Sequence, residues 1–186
     1  MRRLVVIGVV LLAAAGSAGA AVFAPSTGDG TLVVQNADNG DGIAPGGRPV
    51  VTLVIHGFVI GQVAEQGRIQ IYDLDSTDRS EPEVTGALSH SDVSRTVHTQ
   101  TGTQTQTGTQ WTGTGFRFRA VDGTYRVVIW GSGVYLFASG DKGQVWFTGQ
   151  QDPRVPDGRF SLNGDDWRSL PIVGTRLIQP AATGNG

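Results

Sequence analysis

Three groups of residues in this chain have the types that catalysis uses. The run Val50–Phe58 (VVTLVIHGF) ends a strand-like stretch in His56-Gly57, which could present backbone N–H groups to an oxyanion. Acyl transfer of that kind also needs a nucleophile on a sharp strand-to-helix turn with the spacing G-x-S-x-G. The motif is absent, and Gly131-Ser132-Gly133 lacks its spacing. Ser89-His90-Ser91-Asp92 packs triad residue types into four consecutive positions. Triads meet in space, and neighbours on an extended segment point to opposite sides. His56, His90 and His98 show no H-x-x-x-H spacing for a metal. Zero cysteines remove thiolate catalysis, cysteine metal sites and disulfides. Asp38-Asn39-Gly40-Asp41 and Asp73, Asp75 and Asp78 offer oxygens to calcium, but neither run follows the D-x-[DN]-x-[DN]-G pattern with a distal Glu. Both read as solvated turn acids. The chain is therefore expected to hold no catalytic residues, no metal and no cofactor.

The surface with most chemical content is cationic. Phe116–Trp130 reads FRFRAV, Asp122-Gly123, TYRVVIW, the signature of a hairpin closed by a type I′ turn. That register sets Ala120, Phe118 and Phe116 against Tyr125, Val127 and Ile129 on a core face. The other face then carries Arg117, Arg119, Arg126 and Trp130, with Arg119 directly opposite Arg126. A like-charge cross-strand pair costs stability unless something negative lies near. An acidic side chain of a neighbouring strand would serve. So would an anionic cell-wall polymer, an anionic lipid headgroup or another envelope protein, with Trp130 beside it for stacking.

Strands must position these residues. Twenty-eight glycines in 186 residues, with frequent Val, Ile, Thr and aromatics, point to short strands and tight turns. No segment after the N-terminus holds a helical apolar period over three turns. The expected fold is all-β: an antiparallel β-sandwich or barrel-like domain over residues 21–178, with a short β-solenoid as the alternative. Thr31–Gln35, Val50–His56 and Arg68–Asp73 read as strands, the second buried on both faces. Val84–Val97 reads as one weak strand at most. Val134–Ala138 with Gln144–Thr148, and Phe160–Leu162 with Trp167–Leu170, read as two further hairpins. Residues 179–186 read as a disordered tail.

Two patterns cut across these elements. Val50–Asp73 resembles Tyr125–Gly149, as if the domain had two related halves: Ile55-His56-Gly57 lies 74 residues before Ile129-Trp130-Gly131, and Gly67-Arg68 lies 76 before Gly143-Gln144. The Thr/Gln/Gly-rich insert, residues 99–115, alternates Thr with Gln or Gly through Thr109. As a strand it would set a row of threonines on one face. Lacking an apolar face, it reads as a flexible insert.

The N-terminus gives an address. Arg2-Arg3, an uncharged apolar run from Leu4, and Ala18-Gly19-Ala20 together form a signal peptide over residues 1–20. The alternative is a membrane anchor over 4–24, a run long enough to span a bilayer. Cleavage would remove two of the 14 basic residues and leave 12 against 16 acidic ones, a balance that excludes a nucleic-acid partner.

GTLVV near that start, VIGQV with GRIQIYD, FRFRAVDGTYRVVIWGSG and GRFSLNGDDWRSLP together resemble a family of small exported, β-rich actinobacterial proteins, secreted or membrane-associated. The resemblance covers about two-thirds of the chain as clustered motifs. It implies export and a β domain, and supplies no catalytic residue. VYLFASGDKG and the Thr-rich tract depart from it. The expected function is an exported, non-enzymatic structural or binding module at the cell envelope. The alternative is a secreted hydrolase or a carbohydrate-binding protein.

Overall fold

The computed structural model describes residues 30–36, 49–75, 81–147, 158–170 and 174–179. The signal peptide or anchor, nearly all of the 36–47 loop and all but the first residue of the tail lie outside them. The described residues contain eight strands and no helix: β1 (Gly30–Asn36), β2 (Val51–Asp73), β3 (Glu83–Thr99), β4 (Gly102–Gly131), β5 (Val134–Phe147), β6 (Gly158–Leu162), β7 (Arg168–Leu170) and β8 (Gly174–Ile178). They form one sheet in the order β3-β4-β2-β5-β1-β6-β7, with β8 against β5. The sheet is not closed, because β3 and β7 do not pair. Every ladder is antiparallel, which overturns the parallel solenoid.

β2, β4 and β5 are long because they bend and continue where the glycine pattern suggested a turn. Two lines of irregular residues cross the sheet. One joins Gly86 (φ 135°) and Gly115 (φ 68°) to the break between Val63 and Gln66. The other joins Asp122 (φ 55°) and Gly123 to Gly57 and Gly140. At this second line the strands approach too closely for side chains: a Cβ on Gly140 would lie 2.0 Å from the His56 carbonyl oxygen. Bulges at such lines turn strands sharply while their ladders continue.

The expected Asp122-Gly123 hairpin is one of these bulges. Residues 116–120 and 124–129 are one strand, and both run along β2: Phe118 faces Gly61, and Val127 faces Leu53. A bulge and a two-residue turn have the same effect on parity, since each puts Ala120 and Tyr125 on one face. The six expected core residues are accordingly buried, none more than 4% exposed, although their pairing differs. The Gly140–Gly143 turn is likewise absent, and β5 runs through it. The 160–170 hairpin is present as β6 and β7, with Asn163 and Gly164 at positive φ.

The 99–115 insert is also a strand. Thr99 pairs with Gly102, and the tract zips against β3 as far as Thr114. The two arms thereby pair the backbone groups that face each other, and β3 takes in the whole of the Val84–Val97 segment, where one weak strand at most was expected.

One face of this sheet is the core. Leu32, Val34, Leu53, Ile55, Val59, Ile69, Phe116, Tyr125, Ile129 and Leu136 are at most 1% exposed. On the other face of the 50–56 strand burial fades along the chain: Thr52 is buried, Val54 half-buried and His56 exposed. β2 residues 67–72 pair on one edge with β4 residues 113–108, and residues 67–73 pair on the other with 131–125. The ladders repeat internally. A shift of 74 positions carries the Val51–Phe147 pair onto Tyr125–Asp73, and His56–Lys142 onto Trp130–Arg68. The expected spacing of 76 for the second segment is replaced by 74 throughout.

Candidate functional site

Alternation along the bent strands sorts the outward residues onto two faces, and the expected arginine face is divided between them. Arg117 and Arg119 lie on one side of the Gly57–Gly140 line, facing Gln62 and Ile60 of β2. Arg126 and Trp130 lie on the other side. Arg119 does not oppose Arg126: it pairs with Glu83 of β3, donating from Nε and Nη2 at 2.8 and 2.7 Å. That carboxylate sits below the usual range because of its hydrogen bonds from Arg119, and the guanidinium is correspondingly raised. The acidic neighbour anticipated for a structural role therefore exists for Arg119.

The face with Arg126 and Trp130 is richer than the sequence suggested. Arg68 of β2 is the cross-strand neighbour of Trp130, and its guanidinium stacks 4.0 Å from the ring centroid. Its Nε is buried there without a hydrogen-bond acceptor. Arg126 lies 5.9 Å from the Trp146 ring, across β2. Beside Arg126, the Tyr72 hydroxyl donates to Gln70 Oε1 at 3.1 Å, and Gln70 Nε2 donates to Gln110 Oε1 at 2.8 Å. Burial lowers the Arg126 pKa most, the charge of Arg95 lowers it further, and Tyr72 opposes both. An arginine keeps its proton at neutral pH even so, and a nearby anion would stabilise it.

Charge is segregated on this face. The outward strand positions from Ser89–Val97, Gln104–Thr112, Arg68–Tyr72, Thr124–Trp130, Thr52–His56 and Lys142–Trp146 hold Arg68, Arg95, Arg126 and Lys142, while two carboxylates reach the edge of the face, Asp141 on His56 at 2.8 Å and Asp75 on Thr124 at 2.9 Å. A pocket of about 470 Å³ opens at its β8 side, lined by His56, Thr124, Lys142, Gln144 and Trp146 among others. His56 contacts the Asp141 carboxylate at 2.8 Å, and that contact is the main reason the Asp141 pKa falls.

No protein-family model, curated protein or solved structure matches this chain. Its chemistry must be read from its own geometry.

The catalytic candidates are not assembled. Ser89-His90-Ser91-Asp92 is a straight piece of β3 paired with Thr112–Thr109. All four side chains are exposed, the serines on one side of the strand and His90 and Asp92 on the other, and Ser89 Oγ lies 3.5 Å from the Thr112 carbonyl. His56 is exposed on the edge of the cationic face. Among the described residues no three His, Cys, Asp or Glu side chains are placed to hold a metal ion. Asp73 instead accepts from the Asp75 backbone N–H at 3.0 Å, and Asp75 accepts from the Thr124 hydroxyl at 2.9 Å. Asp38, Asp41 and Asp78 lie outside the described residues. A second pocket, of about 590 Å³, sits at the base of the β3–β4 hairpin between Trp111, Asp73, Glu81 and Asp92.

Arg68, Gln70 and Tyr72 were reachable from sequence, since RIQIYD alternates cleanly and they form its polar side. Arg95 and Trp146 gave no local signal, because only the ladders bring them to Arg126.

Proposed function

We propose that this protein is an exported, non-enzymatic binding module of the cell envelope, whose ligand is an anionic envelope polysaccharide. One observation carries the reading: two arginine–tryptophan pairs, Arg68–Trp130 and Arg126–Trp146, share an outward face on which Arg68, Arg95 and Arg126 have no carboxylate at the strand positions paired with them. Indole faces stack on the apolar side of sugar rings. Stacked guanidiniums keep their in-plane N–H groups for carboxylate or phosphate. The Tyr72–Gln70–Gln110 chain adds neutral hydrogen-bonding groups for hydroxyls.

The supporting architecture fits a sandwich or barrel-like domain. A helix-free sheet can bury one face this completely only by folding over itself. The 74-residue repeat of the ladders favours two related halves. Export rests on the N-terminal signal pattern, and kinship with small exported actinobacterial proteins rests on motifs alone.

The test is binding of the purified chain to polygalacturonate, with neutral dextran as control. R68Q/R126Q should weaken polygalacturonate binding about tenfold, or about 1.4 kcal/mol, with unchanged thermal unfolding. Equal binding by variant and wild type overturns the reading. Intact mass in the host medium tests export: a species beginning at Ala21 supports it, and retention in the cytosol defeats it.

A further inference from the structure

The second outward face, which carries Arg117 and Arg119, has a different composition. Its centre is apolar. Phe58 and Ile60 of β2, Tyr135 and Phe137 of β5 and Val33 of β1 are all outward and partly exposed on three adjacent strands. The rings of Phe58 and Phe137 pack at 5.7 Å with a 43° tilt. Pairing places Ile60 beside Phe137, Phe137 beside Val33, and Gln62 beside Tyr135, so these side chains form one continuous surface. Ordinary outward sheet faces are polar; here Phe58, Ile60, Tyr135 and Phe137 occupy successive outward positions of β2 and β5, bordered by Ser139, Gln62 and, on β1, Thr31 and Gln35.

Cations flank this centre on both sides. Arg117 and Arg119 stand on β4 and Arg159 on β6, whose register neighbours on the face are Gln62, Ile60 and Gln35. The one carboxylate on the strands of this face, Glu83, is committed to Arg119. Arg159 donates from Nε to Gln35 at 2.9 Å and stacks 4.5 Å from the Trp167 ring. Trp167 itself is 45% exposed, and it is the exposed large hydrophobic side chain among the described residues. Scattered apolar surface residues need no explanation, but a contiguous patch does.

We infer that this face seats on an anionic phospholipid bilayer, with Phe58, Ile60, Tyr135 and Phe137 at the headgroup–acyl boundary and Arg117 and Arg159 on lipid phosphates. Aromatic side chains favour that boundary, with the apolar ring inward and the polar tip in the headgroups. Arginines at the rim add electrostatic attraction to anionic lipid, of about 1 kcal/mol each near the surface. Charge complementarity selects lipid over a second copy of this chain, since a face with arginines on both flanks would repel its own image. The inference stands independently of the polysaccharide reading, because it uses the opposite side of the Gly57–Gly140 line.

Partition alone would not test it, because residues 4–24 could hold the full chain on any vesicle. Seating of Trp167 is the readout. Full-length protein is mixed with phosphatidylglycerol vesicles carrying brominated acyl chains, and quenching of tryptophan emission is measured. Wild type should be quenched. W167F should lose most of that quenching, whereas W130F should keep it. F58S/F137S and R117E/R159E should each abolish quenching on phosphatidylglycerol while retaining cooperative thermal unfolding, which shows that they fold. Phosphatidylcholine vesicles should quench weakly. Equal quenching of W167F and wild type, or undiminished quenching of both double variants, overturns the inference. So does a lipid-free dimer in sedimentation that F58S/F137S dissolves, which would assign the face to a second copy.

Discussion

The two outward faces share β2, β4 and β5 and differ in how their arginines are compensated. Beyond the glycine line, Arg68 and Arg126 lie over indole rings and Arg95 lies close enough to lower the Arg126 pKa. Before it, Arg119 is held by a bidentate carboxylate and Arg159 by a glutamine and an indole. The first arrangement concentrates cation and hydrogen-bonding groups around rings. The second surrounds an apolar centre with a cationic rim. One strand can serve both because its parity and direction are reset at the bulges. The lesson is that the bulge lines, more than the residues beside them, decide what each face can bind.

The largest effect should therefore come from the line itself. Gly140→Ala places a Cβ against the His56 carbonyl, backbone against backbone, with no flexible side chain to yield. A loss on the order of 3 kcal/mol or more is expected, read as a lower Tm and a lower urea midpoint, with binding lost on both faces together. Gly102→Ala is the comparison. Gly102 has positive φ (136°) but nothing within 4 Å, so only backbone strain of about 1 kcal/mol should appear. If the two substitutions cost the same, close approach is not what fixes the corner.

Next comes the division between faces. R68Q/R126Q should lose about tenfold in polygalacturonate binding and keep vesicle seating, and R117E/R159E should do the reverse. A variant that loses both ligands would mean that the faces act as one surface. A smaller effect follows at Tyr125, which is fully buried and donates its hydroxyl to the Val121 carbonyl inside the bulge at 2.7 Å. Tyr125→Phe leaves the ring and removes the donor, at a cost of about 1 kcal/mol. Thermal unfolding measures it, and no change in Tm would show that the bulge holds without that bond.

Much of this core was legible from alternation. Leu53, Ile55, Ile69, Ile71, Phe116, Phe118, Val127 and Ile129 all follow the period of two, and all lie inward. The pairing was not legible at Asp122-Gly123. A positive-φ residue followed by glycine suits a turn and a bulge equally, and local sequence cannot say whether the chain reverses. The same ambiguity at Gly140–Gly143 turned one continuous strand into an expected hairpin. The Thr-rich tract misled for another reason: its stability comes from β3 ladder partners that no local apolar signal announces. Those errors produced the false Arg119–Arg126 pair, and with it a single face where there are two. Arg126 and Trp130 survived as neighbours because both lie on the same unbroken stretch, Thr124–Gly131.

The smallest expected effect bears on the rim. Glu83 neutralises Arg119, so the lipid face carries less charge than its three arginines imply. Glu83→Gln should strengthen seating on phosphatidylglycerol vesicles at neutral pH and leave polygalacturonate binding unchanged. The pH dependence has a definite sign. The folded pKa of Glu83 is depressed by Arg119. The ion pair is therefore complete above the ordinary carboxylate range and is lost as pH falls through the depressed value. Wild type and E83Q should differ at pH 7 and converge in that acidic window, where the wild-type carboxyl becomes neutral. Added salt should shrink the difference at pH 7, because both side chains are half-exposed and screened. A difference that persists below the window would mean that Glu83 acts through the position of β3 rather than through the charge of Arg119.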